Sequence, residues 1–201
     1  QHINNVDTDN SSMNITGGSF VNLTTGSTSG SRYGGAIYNR GSLAKLGDIS
    51  ADFVGNYVSD NNYPEGGAIY NYRSTIGNIT GDFIGNYAVS EFGGTNGGAI
   101  YNDSTSTIGS ITGNFIGNYA ISDRSSAAGG AIYNDSGSTI GDITGDFIGN
   151  YAASDSGATK GGAIFNDSGS SIGSITGNFI GNYAVSGGGE TYGGAIYNYN
   201  N

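Results

Sequence analysis

Ile140-Gly-Asp-Ile-Thr-Gly145, then Asp146-Phe-Ile-Gly-Asn-Tyr-Ala152, then, after a soft stretch, Gly161-Gly-Ala-Ile-Phe-Asn166: these three pieces make one unit of the chain. The unit recurs. Gly-Gly-Ala-Ile, followed by an aromatic residue and Asn, starts at Gly34, Gly66, Gly97, Gly129, Gly161 and Gly193, at intervals of 32, 31, 32, 32 and 32 residues. Phe-(Ile/Val)-Gly-Asn-Tyr starts at Phe53, Phe83, Phe115, Phe147 and Phe179, and a worn copy, Phe20-Val21-Asn22, begins 14 residues before Gly34. Each piece is short, rich in Ile and aromatic residues, and bounded by Gly, Ser, Asn and Asp. That is strand chemistry. A helix would lose roughly 1 kcal/mol at each Gly relative to Ala, and 39 of the 201 residues are Gly.

Short strands repeated in this way cannot bury an apolar face alone. Stacked as coils they can, each coil adding one strand to each of three parallel sheets. The sequence therefore predicts an all-β fold, a right-handed parallel β-helix of about six coils of about 32 residues. The coil-to-coil rise is the strand spacing of about 4.8 Å. Residues 1–12 read as an irregular N-terminal segment and 13–201 as a single solenoid domain. A rival register with 16-residue coils matches Gly145–Asn150 to Gly161–Asn166, but Ile140 and Ile143 then face Ser156 and Thr159.

Stacking turns each repeat position into a column. Phe53, Phe83, Phe115, Phe147 and Phe179 form one inward ladder, with the Ile49 and Ile37 columns beside it. Asn56, Asn86, Asn118, Asn150 and Asn182 follow the Phe strand at a corner, where side-chain amides can bond one another and the turn backbone. Strand alternation sends Tyr38, Tyr70, Tyr101, Tyr133, Phe165 and Tyr197 outward. They read as a stiffening ladder or as a contact stripe, and Tyr133→Ser is expected to be mild. Asp103, Asp135 and Asp167 fall on three consecutive turns, as solvated carboxylates or as ligands of a calcium ion. The nonapeptide pattern of calcium-binding β-rolls is missing.

Composition removes several function classes. Sixteen acidic residues face six basic ones, for a formal net charge of -10. Such a surface repels nucleic acid. Cysteine is absent, which excludes disulfides and thiolate zinc sites. His2 is the sole histidine, so no His-based triad forms, and no Gly-Lys-Ser/Thr phosphate loop occurs. No apolar run is long enough to span a bilayer. Arg40, Lys45 and Arg73 gather in the first two full turns, as charge balance or as a small cationic groove. No catalytic constellation or resident cofactor is expected.

The alternating GGAI motifs (from Gly34 to Gly193) and FxxN motifs (from Phe53-Val-Gly-Asn56 to Phe179) resemble those of polymorphic outer membrane proteins and related autotransporter passengers, over about residues 15–198. The resemblance implies a β-helix displayed outside the cell, an adhesin or its stalk, often self-associating, with a partner that is another copy, a host protein or a glycan. A cysteine-free chain suits secretion through a barrel. The chain carries no membrane barrel and stops within a repeat at Asn201, so a fragment or processed passenger is expected. A self-assembling extracellular filament and a carbohydrate-binding or carbohydrate-processing β-helix are the alternatives.

Overall fold

A computed structural model describes residues 2–6, 12–25 and 32–199. Every regular element among them is a strand, and equivalent strands of successive coils pair in parallel, Ile100 on Ile132 and Ile132 on Ile164. The result is a parallel β-solenoid of about six turns with the repeat read from the sequence. Among the described residues five sheets form, not three. One coil runs through Ile132–Asn134, Thr139–Ile140, Ile143–Thr144, Phe147–Ile148, Tyr151–Ser154 and Thr159–Lys160. Glycine sets the extra breaks. Gly81, Gly113, Gly145 and Gly177 split a strand that Ala51 leaves whole as Ile49–Val54.

The GGAI motif has a separate reason for each glycine. The first, at Gly66, Gly97 and their equivalents, takes φ of 65° and 64°, a left-handed turn open to Gly. The second has no room for a side chain, since a Cβ on Gly98 would lie 2.1 Å from the carbonyl oxygen of Gly130 and 2.4 Å from that of Tyr119. Two separate parts of the coil meet there, backbone against backbone. In the FIGNY motif the glycine supplies left-handed geometry alone, and Asn22 takes that place in the worn copy at φ 52°.

The core is a stack of columns. Phe53, Phe83, Phe115 and Phe147 are fully buried, with ring centroids 4.7 Å apart and planes within 4°. The Ile37 and Ile49 columns line the same core, as expected, together with Leu46, Ile76, Ile108 and Ile140. The segment read as irregular at the N-terminus contains a strand, Ile3–Val6, paired on Ile37–Arg40. Ile3 and Asn5 supply the inward Ile and the Asn of the repeat without its glycines, and Asn5 Nδ2 donates to Asn39 Oδ1 at 2.6 Å. Residues 1, 7–11, 26–31 and 200–201 lie outside the described residues, so the remainder of the 1–12 segment and the last two residues of the 13–201 domain are not covered by this description.

After the strand that begins at Tyr57, Tyr87, Tyr119, Tyr151 or Tyr183, the chain doubles back. It forms a four-stranded arm of Thr95–Asn96, Ala127–Ala128, Thr159–Lys160 and Thr191–Tyr192. The arm is wedged between two sheets. Ala127 packs with Ala120 and Ala152 of the tyrosine sheet, while Ala128 packs with Tyr70, Tyr101, Tyr133 and Phe165 of the GGAI sheet.

Candidate functional site

The arm overturns the reading of the Tyr38 column as an open stripe. Tyr70, Tyr101, Tyr133 and Phe165 do point away from the main core, yet they are only 6%, 6%, 8% and 1% exposed. They form a second core beneath the arm, with Tyr38 and Tyr197 partly buried at its ends. Rings in the middle of the column are tilted, by 40° between Tyr70 and Tyr101 and by 49° between Tyr101 and Tyr133, whereas Tyr38 stacks on Tyr70 at 6° and Phe165 on Tyr197 at 16°. Burial pushes the Tyr70 and Tyr101 hydroxyls well above the ordinary phenol range, and the nearby Glu65 carboxyl adds to the effect.

Glu65 stands at the edge of this second core, bridged through its backbone to Tyr33 and Asn96. Its Oε1 accepts from Asn96 Nδ2 at 3.1 Å. Burial, with Asp103, Asp135 and Asp60 nearby, raises this carboxyl to about 8, against the pull of the Asn96 bond. The Asp103, Asp135 and Asp167 row runs along the same side but does not converge. Asp135 Oδ1 accepts from Ser136 N at 2.6 Å, and Asp167 Oδ1 from Ser168 N at 2.8 Å. Burial raises the Asp135 carboxyl above its usual range. Asp103 is buried, with Oδ1 lacking a hydrogen-bond partner. Among the described residues no three carboxylate or imidazole groups come together as metal ligands, so the calcium reading of this row lacks a coordination geometry.

The asparagine corner is as read. Asn86 Nδ2 donates to Asn118 Oδ1 at 2.9 Å and to Phe53 O at 2.9 Å, and Asn118 and Asn150 repeat the pattern. A second ladder escaped the sequence reading. Asn39, Asn71, Asn102 and Asn134, the residues after the GGAI aromatic, are fully buried and linked at 2.8 Å from each Nδ2 to the next Oδ1. Each also donates to a carbonyl one coil on, as Asn71 does to Thr107 O at 3.2 Å. Both columns are structural, because every buried amide is satisfied within the stack.

The aromatic column that does reach solvent is a different one. Tyr57, Tyr87, Tyr119 and Tyr151 are half-buried and Tyr183 is exposed, with centroids 4.8 to 5.0 Å apart and planes within 11°. Their faces cover one another, so edges and hydroxyls are what the surface presents. Partial burial and the flanking Tyr87 and Tyr151 push the Tyr119 hydroxyl up to about 12. On one side runs the partly exposed column of Val54, Ile84, Ile116, Ile148 and Ile180, and on the other Val89, Ile121, Ala153 and Val185. The signal was present in Tyr-Ala-Val-Ser. A small residue recurs at its second position, as Ala88, Ala120, Ala152 and Ala184, which marks the packed side and leaves Tyr on the other.

Comparison with known proteins yields nothing to set beside this geometry: no protein family, no curated protein and no solved structure matches the chain. The flank and its surroundings therefore carry the functional argument unaided. The stripe is three columns wide and uncharged. Acids flank it in sequence on both sides, Asp52, Asp82 and Asp146 before the Ile column and Glu91, Asp123 and Asp155 after the Val column, with Glu91 paired to Arg124 at 3.5 Å.

Proposed function

We propose that this chain is an extracellular structural and adhesive rod, the passenger or stalk of a surface-displayed protein of the autotransporter kind. Its flank along the Tyr57 column is the adhesive face. The observation that carries the reading is the uncharged, partly exposed Ile–Tyr–Val stripe on a chain of net charge -10. Apolar patches rimmed by polar groups mark interaction sites. The acid rims select the occupant, a partner protein surface that sets Lys and Arg on either side of aliphatic or aromatic side chains. A second copy would bring acid against acid, so self-association, implied by the resemblance, requires salt to screen the rims. The absence of cysteine and the repeat resemblance support display outside the cell.

A defined probe tests the flank. A synthetic peptide alternating Lys with Tyr and Val is expected to bind the rod and to lose at least tenfold in affinity to Tyr119→Ser/Tyr151→Ser. The matched Glu peptide is expected not to bind. Equal binding by parent and double variant overturns the assignment of the face. Dimerisation at low salt, seen by sedimentation and abolished in the double variant, gives the face to a second copy instead.

A further inference from the structure

The coils agree so closely that departures stand out. One column, at the end of the GGAI strand, runs Val6, Arg40, Tyr72, Asp103 in register, and Asp135 and Asp167 hold the matching place in the next coils. The position after it is Ser104, Ser136 and Ser168 in the later coils, at φ of 58°, 56° and 51°, but Arg73 at φ 52° in the earlier one. Where later coils carry Asp-Ser, these two carry Arg-Gly and Tyr-Arg. In these two adjacent coils the Asp-Ser pair gives way to cations on an acidic chain.

The two guanidinium groups are held in position. Arg40 Cζ lies 5.4 Å from the Tyr72 ring centroid and Arg73 Cζ lies 5.2 Å from it. Arg40 Nη1 donates to the Tyr38 hydroxyl at 3.1 Å. Cation–π contacts of this kind orient a guanidinium without neutralising it. Among the described residues the one ion pair joins Arg124 to Glu91, so neither Arg40 nor Arg73 is matched to a carboxylate there. Both line a pocket of about 350 Å³ with Val6, Tyr38, Ser42 and Tyr72, and among the described residues no acidic one lines it.

We propose that this pocket binds an oxyanion-bearing sugar residue, a hexuronate or a sulfated hexose. Arg40 and Arg73 hold the anionic group, and Tyr38, Tyr72 and Val6 flank the ring. Guanidinium forks match two oxygens of a carboxylate or of a tetrahedral oxyanion bidentately. The volume is that of a small-ligand site, too small for a folded partner. Its walls join apolar and aromatic surface to a hydroxyl, as a sugar ring with polar edges and apolar faces requires. The acid-rich remainder of the chain repels extended polyanions, so the site selects a short or terminal acidic saccharide. None of this depends on the flank or on any partner there.

Isothermal titration tests the site with four probes: a glucuronate-terminated disaccharide, a sulfated disaccharide, their neutral parent, and inorganic sulfate. One or both charged sugars are expected to bind one to one, at least tenfold more tightly than the neutral sugar or free sulfate, and the arm that binds identifies the oxyanion. Arg73→Ser installs the residue that three other coils hold at the same backbone angle, so it is expected to fold and to weaken binding tenfold or more. Arg40→Gln is expected to do the same, and it serves alone should Arg73→Ser not fold. Arg124→Ser, which removes the same charge outside the pocket, is expected to leave binding unchanged. The proposal is overturned by no binding of either charged sugar, by sulfate or the neutral sugar binding equally well, or by a loss in Arg124→Ser matching that in the pocket variants.

Discussion

Two tyrosine columns run along this rod in the same coils and end in opposite environments. Tyr70, Tyr101 and Tyr133 leave the main core and meet the arm, where they are buried with tilted rings. Tyr87, Tyr119 and Tyr151 leave the arm and meet water, with rings stacked in parallel. Both alternate with inward residues along their strands. Alternation reports the face of a residue's own sheet and nothing about a second layer above it. What separates the columns is the doubling back of the chain into the arm.

The sharpest test of the frame common to both columns is Phe147→Asp, which buries a charge between the Phe115 and Phe179 rings. The cost is several kcal/mol, and loss of the cooperative melt is expected; an unchanged melting temperature places the Phe ladder outside the core. Tyr101→Ser and Tyr133→Ser come next. Emptying a buried aromatic position costs about 3–5 kcal/mol, against the mild effect that an outward residue would show, and urea titration measures it. A cost below about 1 kcal/mol would return this column to the surface.

Glu65 sharpens the comparison through pH. Its carboxyl is raised to about 8 in the fold, mainly by burial, and is ordinary, near 4.3, in the unfolded chain. The native state thus holds a proton that the unfolded state releases. The stability this gives is complete below about pH 4 and is lost as pH rises through about 8. Glu65→Gln keeps a carbonyl for Asn96 and removes the titration, so it is expected to melt with the parent at pH 4 and above it at pH 9. Parallel melting curves across that range sink the assignment. The smallest effect belongs to the flank, where Tyr119→Ser gives up partial stacking worth roughly 0.5–1.5 kcal/mol. A loss as large as that of Tyr101→Ser would mean that the flank is covered as well.

The legibility of the sequence follows from what repeats. Phe115, Ile132 and Asn150 could be placed because identical residues stand above and below them, and a column of one residue type declares its environment. The arm could not be read in this way. Its central column is Tyr33, Glu65, Asn96, Ala128, Lys160 and Tyr192, six positions with almost no chemistry in common. Its backbone pairs regularly while its side chains vary, so periodicity passes over it. The Asn39 ladder was visible within each GGAI motif, but its burial depends on an amide chain that only stacking creates. The Arg40–Arg73 pocket was legible as two exceptions, and its shape needed the Tyr72 ring that orders both.

The hydrogen bonds between coils have a mechanical consequence. In a parallel ladder they are evenly spaced and slanted, but they run from coil to coil and so broadly along the rod, and tension applied to the two ends loads every coil-to-coil seam in series. A seam that opens lengthens the rod by a large step. A coil of about 32 residues contributes only about 4.8 Å of rod, yet its contour when drawn out is on the order of 100 Å. A solenoid built this way gives under load like a ratcheted spring, lengthening by discrete turns while the remaining coils keep their faces intact.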